Sequence, residues 1–341
     1  MQEIKKIVFT KKDTAEFLSF PVPELAENQV MVKTELSTIS CGTERANIVG
    51  DVNISIAAAP EERPVYPICL GYSSAGTVVK VGSKVTKVKP GDRVVVYWGN
   101  HASYNIVADK QVVKIEDDSV SFADAAISFI ATFPIAAVRK TRVELGESML
   151  VMGLGILGQI AVKAAKAAGA VPVVAADPVA SRRETALKNG ADYAFDPFEP
   201  DFAEKVKAVT GGGANTAVEV TGVGAGLDET LDCMAKLGRV ALLGCTRDKN
   251  FTIDYYRKVH GPGISLIGAH TAARPENESY PGYFTHEDDI KTALKLVAGG
   301  RMSLADMVEE THSPEECFEV YTRLVNDKNF PAAVQFDWRN I

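Results

Sequence analysis

Cysteine is scarce in this chain, which has five in 341 residues. The cysteines are odd in number and widely spaced, so they do not form the paired pattern of a disulfide framework. Apolar runs are short as well. None reaches the roughly 18–20 residues of a membrane-spanning helix, and no apolar signal core follows Met1–Lys6. These absences predict a cytoplasmic protein with no membrane partner.

Clusters of basic residues are missing too. Lysine and arginine total 37 against 44 aspartates and glutamates, and the formal net charge is −7. A nucleic-acid partner is therefore not expected, because proteins that bind nucleic acid concentrate positive charge on one face. The length is sufficient for two domains and a large core.

A glycine-rich turn is the most informative motif that is present. Gly153–Gly158 reads Gly-Leu-Gly-Ile-Leu-Gly and lies between an apolar run, Met149–Met152, and an alanine-rich helical pattern, Gln159–Ala168. A second apolar run, Val171–Ala176, then ends on Asp177. This order of strand, glycine turn, helix, strand and acid predicts a βαβ unit that binds a dinucleotide.

Each glycine of the motif has a physical role in that prediction. Gly153 permits the tight turn, Gly155 lets the backbone approach a pyrophosphate, and Gly158 lets the helix pack close to the strand. Ile156 and Leu157 lie within the motif, just before the helical pattern, and the start of that helix offers free N–H groups and a positive dipole end to the phosphates. All five residues are predicted cofactor contacts.

The acid after the second strand bears on the choice of cofactor. Asp177 is placed to bind both hydroxyls of the adenine ribose and would repel a 2′-phosphate, which favours NAD(H) over NADP(H). Arg182 and Arg183 follow closely and weaken that preference. Arg182 joins the predicted cofactor contacts, as do Thr221 and Gly244, which directly follow two later strand candidates.

The two parts of the chain differ in their hydrophobic patterns. Residues 1 to about 120 carry short β patterns separated by turn residues, which is typical of an antiparallel barrel. From about Phe122, helices and apolar strands alternate, which predicts a parallel sheet with helices on both faces. The predicted helices lie at 121–140, interrupted at Pro134, and at about 179–189, 202–209 and 227–237.

Four segments together resemble the medium-chain dehydrogenase/reductase superfamily over almost the whole chain: Cys41–Glu44, Leu70–Val78, Val88–Val94 and Asn189–Asp192. The resemblance implies an α/β protein with a GroES-like β-barrel catalytic domain and a doubly wound Rossmann domain that binds NAD. The expected bounds are 1–131 with 268–341 for the first domain and 132–267 for the second.

That resemblance also implies an active site in the cleft between the domains and pairing of an edge strand near Gly263–Gly268 across a homodimer, with a homotetramer left open. A narrower resemblance, to proteins like bacteriochlorophyllide dehydrogenase, depends on Ser37–Glu44 and Val334–Trp338. The pigment substrate does not follow from these segments, and sugar or polyol derivatives fit equally well.

The chain departs from the zinc enzymes of the superfamily at the positions that would bind metal. Cys41 matches the first ligand, but Tyr72 stands in place of the histidine and Phe129 near the third ligand. One thiolate does not hold catalytic zinc. The four-cysteine structural zinc lobe is absent from 97–108. We therefore predict no zinc at either site, with an unusual set of Cys41 and His101 as the alternative.

Without zinc, another group must offset the charge that develops on the substrate oxygen. Tyr72 is the first candidate, Thr43 the second and His101 the third, and Cys41 is expected to border the substrate. Structural roles compete with each assignment: Tyr72 as a filler of the former metal site, Thr43 as a turn hydroxyl, His101 as a hydrogen-bonded strand residue, and Cys41 as a core residue. Glu44 fits a pairing with a neighbouring cation.

A long polar loop, His270–His286, is the remaining candidate for substrate binding. Its Arg274, Tyr280 and Tyr283 suit a polar or acidic small molecule if the loop borders the cleft. The alternative is a plain surface connection. By resemblance, the insertion at 51–64 borders the same cleft.

Three functions remain open at this point. The first is a zinc-independent, NAD(H)-dependent oxidoreductase that interconverts a secondary alcohol, polyol-like or sugar-like, and its ketone. The second is an NAD(P)H-dependent reductase of activated C=C bonds, where conjugation stabilises the developing enolate without a metal. The third is a non-catalytic nucleotide-binding protein.

Overall fold

A computed structural model of the chain describes residues 3–51, 65–245 and 250–341. It divides into two compact units, which we name the barrel unit (Met1–Ile130 and Ile290–Ile341) and the nucleotide unit (Ala131–Asp289). The nucleotide unit ends at Asp289, whereas the sequence predicted an end at residue 267, so residues 268–289 belong to the nucleotide unit. Most of the predicted insertion, 52–64, lies outside the described residues.

The barrel unit is built on antiparallel strands. Strands β1 (Glu3–Lys11) and β2 (Thr14–Pro21) form a hairpin. A larger sheet has the order β14-β15-β3-β4-β5-β7, with β6 also paired to β3. Its strands are β3 (Gln29–Thr38), β4 (Ser73–Val81), β5 (Arg93–Tyr97), β6 (Tyr104–Ala108), β7 (Val112–Lys114), β14 (Glu310–His312) and β15 (Val334–Asp337).

Valines at alternate strand positions make one core of this unit, because side chains two residues apart point to the same face of a sheet. Val30 and Val32 of β3 pack with Val94 and Val96 of β5, and all four are buried. A second core gathers the large side chains of the C-terminal segment, among them Tyr321, Phe336 and Trp338. The helices are α1 (Cys41–Ile48) and α8 (Cys317–Asn326), and α2 (Phe122–Lys140) and α7 (His286–Ala298) cross the two divisions.

Helix α2 differs from the sequence predictions in two ways. It continues through Pro134 instead of being interrupted there. It is also long and apolar enough, by length and composition, to cross a membrane, which corrects the expectation that no such stretch exists. Within the protein, 83% of that apolar window is buried, as in the core helix of a globular fold.

The nucleotide unit contains a parallel sheet with the order β10-β9-β8-β11-β12-β13. This is the Rossmann order, in which the first strand of the unit, β8, lies centrally beside the fourth, β11. The predicted α/β fold is thus confirmed. The strands are β8 (Met149–Met152), β9 (Val173–Ala176), β10 (Tyr193–Phe195), β11 (Ala214–Glu219), β12 (Met234–Leu242) and β13 (Ser265–Gly268). The helices between them are α3 (Ile156–Ala168), α4 (Ala180–Lys188), α5 (Phe202–Thr210) and α6 (Gly224–Asp232).

Candidate cofactor site and active site

The glycine turn has the geometry that its sequence predicts. Gly153 follows β8 with a φ of +96°, which favours glycine. A Cβ on Gly158 would lie 1.9 Å from the carbonyl oxygen of Gly153, so only glycine permits this approach of helix and turn. A Cβ on Gly155 would meet nothing within 4 Å. The space above Gly155, at the N-terminus of α3, is therefore open and is not used for packing.

Asp177 holds this turn from the neighbouring strand. Its Oδ2 accepts the main-chain N–H of Leu154 at 2.8 Å, and its Oδ1 accepts that of Val179 at 2.8 Å. Arg182 lies 3.7 Å from the same carboxylate. Arg183 instead donates to the carbonyl of Asp177 at 2.7 Å, so the two arginines serve different groups. The carboxylate is thereby fixed beside the predicted pyrophosphate turn.

A buried acid that no sequence motif marks lies at the end of β11. Glu219 is 3% exposed, and burial raises the pKa of its carboxyl. It accepts hydrogen bonds from the main chain, at 2.7 Å, and from the hydroxyl of Thr221. Gly244 packs closely here, since a Cβ on it would lie 2.4 Å from the nitrogen of Gly222. Thr221 and Gly244, two predicted cofactor contacts, thus border the ends of adjacent strands, where Rossmann domains bind ligands.

In the barrel unit, Tyr72 lies in a pocket of aromatic rings. Its ring centroid is 5.4 Å from that of Trp98 and 5.6 Å from that of Phe129. The Tyr72 hydroxyl forms a short hydrogen bond with the hydroxyl of Ser40, a partner that the sequence did not predict. Trp98 has a φ of +56° and is 46% exposed, so this indole is presented to solvent beside Tyr72.

The residues at the expected zinc positions do not fit zinc. Two of the three, Tyr72 and Phe129, offer a phenol and a phenyl ring where the metal requires thiolate, imidazole or carboxylate. The Cys41 sulfur points at main-chain carbonyls, 3.7 Å from that of Ala332 and 3.8 Å from that of Pro331. Across residues 3–51, 65–245 and 250–341, no group of three or more His, Cys, Asp or Glu is arranged to hold a metal ion.

His101 requires a correction. It is 1% exposed, its Nδ1 is 2.7 Å from the Ser37 hydroxyl, and its Nε2 is 3.1 Å from Glu44 Oε2. Both ring nitrogens are therefore used within the barrel unit, and the side chain is closed off from solvent. We reassign His101 from a candidate acid/base, or metal ligand with Cys41, to a structural position. Glu44 pairs with this histidine rather than with a cation beside it in sequence.

The buried network continues on the other side of Glu44. This carboxylate is 0% exposed and accepts hydrogen bonds from the hydroxyl of Tyr321, in addition to His101, and from the main-chain N–H of Ser40 at 2.8 Å. Burial, together with the charge of Glu44, raises the pKa of Tyr321 well above its ordinary value. Tyr321 therefore stays protonated and acts as a donor.

The direction of the hydrogen bonds is set at the two ends of the network, because the indole N–H of Trp338 can only donate and the carboxylate of Glu44 can only accept. Trp338 donates to the Ser37 hydroxyl at 2.8 Å. Ser37 can then donate its own hydrogen to His101 Nδ1, which leaves His101 Nε2–H to donate to Glu44. The Trp338, Ser37 and His101 donors of this network each have an acceptor, and the network ends on one buried carboxylate.

Thr43, the second predicted catalytic residue, lies in the first turn of α1 and is partly buried. Its carbonyl accepts a hydrogen bond from the Asn47 side chain at 2.9 Å. The arrangement leaves Thr43 a candidate, three residues from Ser40.

Arg274 also requires a correction. Its side chain is 5% exposed, and its guanidinium donates to Asp289 at 3.0 Å, to the carbonyl of Thr271 at 2.9 Å and to that of Thr132 at 3.2 Å. These bonds lie within the nucleotide unit and use all three guanidinium nitrogens, so the residue braces the polar loop and is not free to bind a substrate.

The two tyrosines of that loop form a small hairpin. Tyr280 and Tyr283 exchange main-chain hydrogen bonds of 2.9 and 2.8 Å, and their ring centroids are 5.2 Å apart. Tyr280 is 54% exposed, whereas the ring of Tyr283 lies 5.8 Å from the ammonium of Lys140. The exposed ring of Tyr280 keeps its predicted role open.

Comparison with known proteins agrees with this architecture. The alcohol dehydrogenase GroES-like domain family matches residues 26–117, and the zinc-binding dehydrogenase family matches residues 157–284. The chain is 30% identical over 286 residues to L-threonine 3-dehydrogenase of Pyrococcus furiosus, covering 74% of this chain and 79% of that protein. The chain belongs to the medium-chain, zinc-binding dehydrogenase family, and it is an oxidoreductase.

Two other similarities extend over nearly the full length. D-guloside 3-dehydrogenase of Escherichia coli K12 is 26% identical over 333 residues, covering 92% of this chain and 94% of that protein. A short chain alcohol dehydrogenase from E. coli CFT073, solved with NADH, superimposes with a TM-score of 0.81 at 18% identity, covering 99% of this chain and 100% of the other.

Proposed function

We propose that this enzyme is a zinc-independent, NAD(H)-dependent oxidoreductase that interconverts a secondary alcohol, polyol-like or sugar-like, and its ketone. The observation that carries the proposal is the Tyr72 hydroxyl, bonded to Ser40 at a position where zinc relatives have a metal ligand. A phenol can donate a proton to a developing alkoxide, which is the charge that zinc would otherwise offset.

In the proposed reaction NAD(H), held at the glycine turn, would supply or accept the hydride. When a ketone is reduced, Tyr72 donates its proton to the substrate oxygen as that oxygen gains negative charge. When an alcohol is oxidised, Tyr72 accepts the proton. Thr43 is the alternative donor, since it lies in the turn next to Ser40.

Three features support NAD(H). The turn at Gly153–Gly158 leaves space above Gly155 at a helix N-terminus, which suits a pyrophosphate. The Asp177 carboxylate is held beside that turn and would repel a 2′-phosphate. Arg182 is already paired with Asp177 and so contributes less positive charge to a phosphate than a free arginine would.

The substrate class follows from the relatives and from the pocket. Two relatives are named for oxidation at carbon 3 of a guloside and of L-threonine, both secondary alcohols. The exposed indole of Trp98 beside Tyr72 offers an apolar face with a polar edge, which suits a ring that carries hydroxyl groups. Membership of the zinc-less branch resembling bacteriochlorophyllide dehydrogenase is part of the same proposal.

We further propose a cytoplasmic homodimer. Strand β13 is the last strand of its sheet in the described part of the chain, and Leu266 on it is 38% exposed. An unpaired apolar edge favours pairing with a second copy. A homotetramer would use a further surface in addition.

A second candidate function is the reduction of activated C=C bonds. The aromatic residues at the expected metal positions, Tyr72 and Phe129, favour it, because a conjugated substrate stabilises its own enolate. The hypothesis of a non-catalytic nucleotide-binding protein is not retained, since the chain is an oxidoreductase of this family.

The deciding experiment uses purified protein treated with EDTA, with its residual metal content measured. Oxidation of NADH and of NADPH is followed with matched panels of polyol-type ketones and conjugated enones. Turnover of ketones with NADH at substoichiometric metal supports the proposal. Turnover of enones alone would transfer the assignment to C=C reduction, and activity that returns only on adding zinc would refute metal independence.

Tyr72→Phe tests the catalytic assignment. We expect kcat for the ketone to fall by about 10²-fold or more, the usual scale for a general acid, because the phenol oxygen is lost while the ring remains. Tyr97→Phe is the matched control: its ring also packs on Phe129, at 5.2 Å, but its hydroxyl donates to the carbonyl of Lys110. An unchanged rate in Tyr72→Phe would move the role to Thr43.

A further inference from the structure

The hydroxyl of Ser40 contacts the hydroxyl proposed as the acid/base. We propose that Ser40 is a positioning residue for Tyr72, fixed in place by the buried carboxylate of Glu44. This inference rests on the proposed function, because it concerns how the Tyr72 hydroxyl is aimed at the substrate oxygen. It adds a residue that acts through Tyr72 without touching the substrate.

The Ser40 hydroxyl is not used to cap its own helix. Ser40 is the N-cap residue of α1, a position at which serine usually bonds a main-chain N–H of the first turn. Its side chain makes no such capping bond here. The hydroxyl instead bonds Tyr72, and the residue is 6% exposed. Serine at this position therefore serves the contact with tyrosine rather than the start of the helix.

The main chain of Ser40 is held from the opposite side. Its N–H donates to Glu44 Oε1 at 2.8 Å, and the same carboxylate is fixed by His101 and Tyr321. All three of these anchoring side chains are buried. A carboxylate with three donors has little freedom to move, so the main-chain position of Ser40 is set by the core of the barrel unit.

The ring of Tyr72 is confined as well. Trp98 and Phe129 flank it, the latter edge-to-face at 89° between the ring planes. Packing thus fixes the plane of the ring, and Ser40 fixes the phenol oxygen within that plane. Catalytic groups held by such supporting contacts lose rate when those contacts loosen, even if the group itself remains.

The proton balance is simple. In ketone reduction, the hydride that bound NADH would supply adds to the carbonyl carbon, the π electrons of the C=O bond move to oxygen, and that oxygen takes the Tyr72 proton. The Tyr72 phenolate that remains accepts a hydrogen bond from the Ser40 hydroxyl until solvent water returns a proton to Tyr72. Ser40 keeps its own proton throughout, so its contribution is to orient and stabilise Tyr72.

The test compares Ser40→Ala and Ser40→Thr in the full-length enzyme with NADH and a ketone substrate. We expect Ser40→Ala to lower kcat by about tenfold or more, with KM within about threefold. Ser40→Thr keeps the hydroxyl and should restore kcat to within about threefold. NADH affinity, from fluorescence titration, and the thermal midpoint should stay unchanged in both, which separates positioning from misfolding.

Three results would overturn the inference: an unchanged kcat in Ser40→Ala, a change confined to KM, or a failure of Ser40→Thr to restore the rate. Tyr72→Phe, measured in parallel, separates the catalytic role of Tyr72 from the positioning role of Ser40. If Tyr72→Phe is impaired and Ser40→Ala is not, only the positioning role fails. If neither is impaired, the proposed function of Tyr72 fails with it.

Discussion

The glycine turn at Gly153–Gly158 and the segment Ser37–Glu44 both connect a strand to a helix, yet they are built differently. The conformation of the glycine turn is set by the main chain, through a positive φ at Gly153 and a close approach of helix and turn at Gly158. The conformation of the other segment is set by side-chain hydrogen bonds, and the partners come from distant parts of the chain, including Tyr321 and Trp338.

This difference separates two kinds of tolerance. A turn that depends on glycine is destabilised when a side chain is added. A hydrogen-bond network is destabilised when a donor or an acceptor is removed or exchanged. The glycine turn should therefore be most sensitive to alanine, and the Ser37–Glu44 segment to isosteric changes that alter hydrogen bonding.

The largest effect is expected from Gly158→Ala. The added Cβ would lie 1.9 Å from the Gly153 carbonyl oxygen, so α3 or the turn must shift. We expect the free energy of unfolding to fall by about 3 kcal/mol, the upper range for overpacking, and NADH binding to be lost. Urea unfolding and fluorescence titration with NADH measure the two effects.

Gly155→Ala is its matched control, since its Cβ meets nothing within 4 Å. Stability should stay within about 0.5 kcal/mol of the parent, while NADH affinity falls by about tenfold or more because the methyl group occupies the ligand space. If Gly155→Ala binds NADH normally, the pyrophosphate does not lie over this glycine.

An intermediate effect is expected from Glu44→Gln. The amide keeps the shape of the side chain but turns one acceptor oxygen into a donor, which then faces His101 or Tyr321. We expect a loss of about 1–3 kcal/mol in the free energy of unfolding, the usual cost of an unsatisfied buried polar group. Glu319→Gln, an exposed glutamate on α8, should change stability little. Equal stabilities of the two variants would contradict the network.

The smallest effect is expected at the surface, around His312. Burial alone would lower the pKa of His312, but hydrogen bonds to Glu310, at 2.8 Å, and Glu316, at 2.7 Å, outweigh it and raise that pKa. The hydrogen bond from Arg323 is the main cause that lowers the pKa of Glu310 to about 2.

The sign of the pH dependence follows from these directions. A histidine with a raised pKa contributes stability below its unfolded pKa of 6.5, and the contribution disappears as the pH rises through the folded pKa. His312→Gln should therefore lower the melting temperature more near pH 6 than near pH 9, by an amount that fits a surface pair worth up to about 1 kcal/mol. A larger loss at the higher pH would show that the histidine acts through packing.

The same contrast explains how much could be predicted. The turn, its helix and Asp177 lie within one short stretch, and their spacing alone predicted the βαβ unit. The fold of both units was predictable for a related reason, since hydrophobic periodicity is a local property. The helix expected at 227–237 ends at Asp232, because the next strand starts at Met234 and leaves no room for further turns.

The side chains of the candidate active site were less predictable. His101 contacts Ser37 and Glu44, which lie 64 and 57 residues away in sequence, and no local sequence pattern predicts such contacts. Arg274 likewise donates hydrogen bonds to Asp289 and to the distant carbonyl of Thr132. Polar residues on a loop suggest that the loop binds a substrate. A buried carboxylate outside the loop can instead be the hydrogen-bond partner of such a residue, as Asp289 is for Arg274.

The order of strands in the barrel unit has a consequence for biosynthesis. Strand β15 lies between β14 and β3, so the last strand of the described chain completes a sheet begun by one of the first. Trp338, just after it, supplies the N–H that starts the hydrogen-bond chain toward Glu44. During synthesis, therefore, the nucleotide unit has all its strands before the barrel unit does. The network that holds Ser40 therefore needs the chain up to Trp338, and until that residue has been synthesised the nascent enzyme has the strands of its nucleotide unit but not a complete barrel unit.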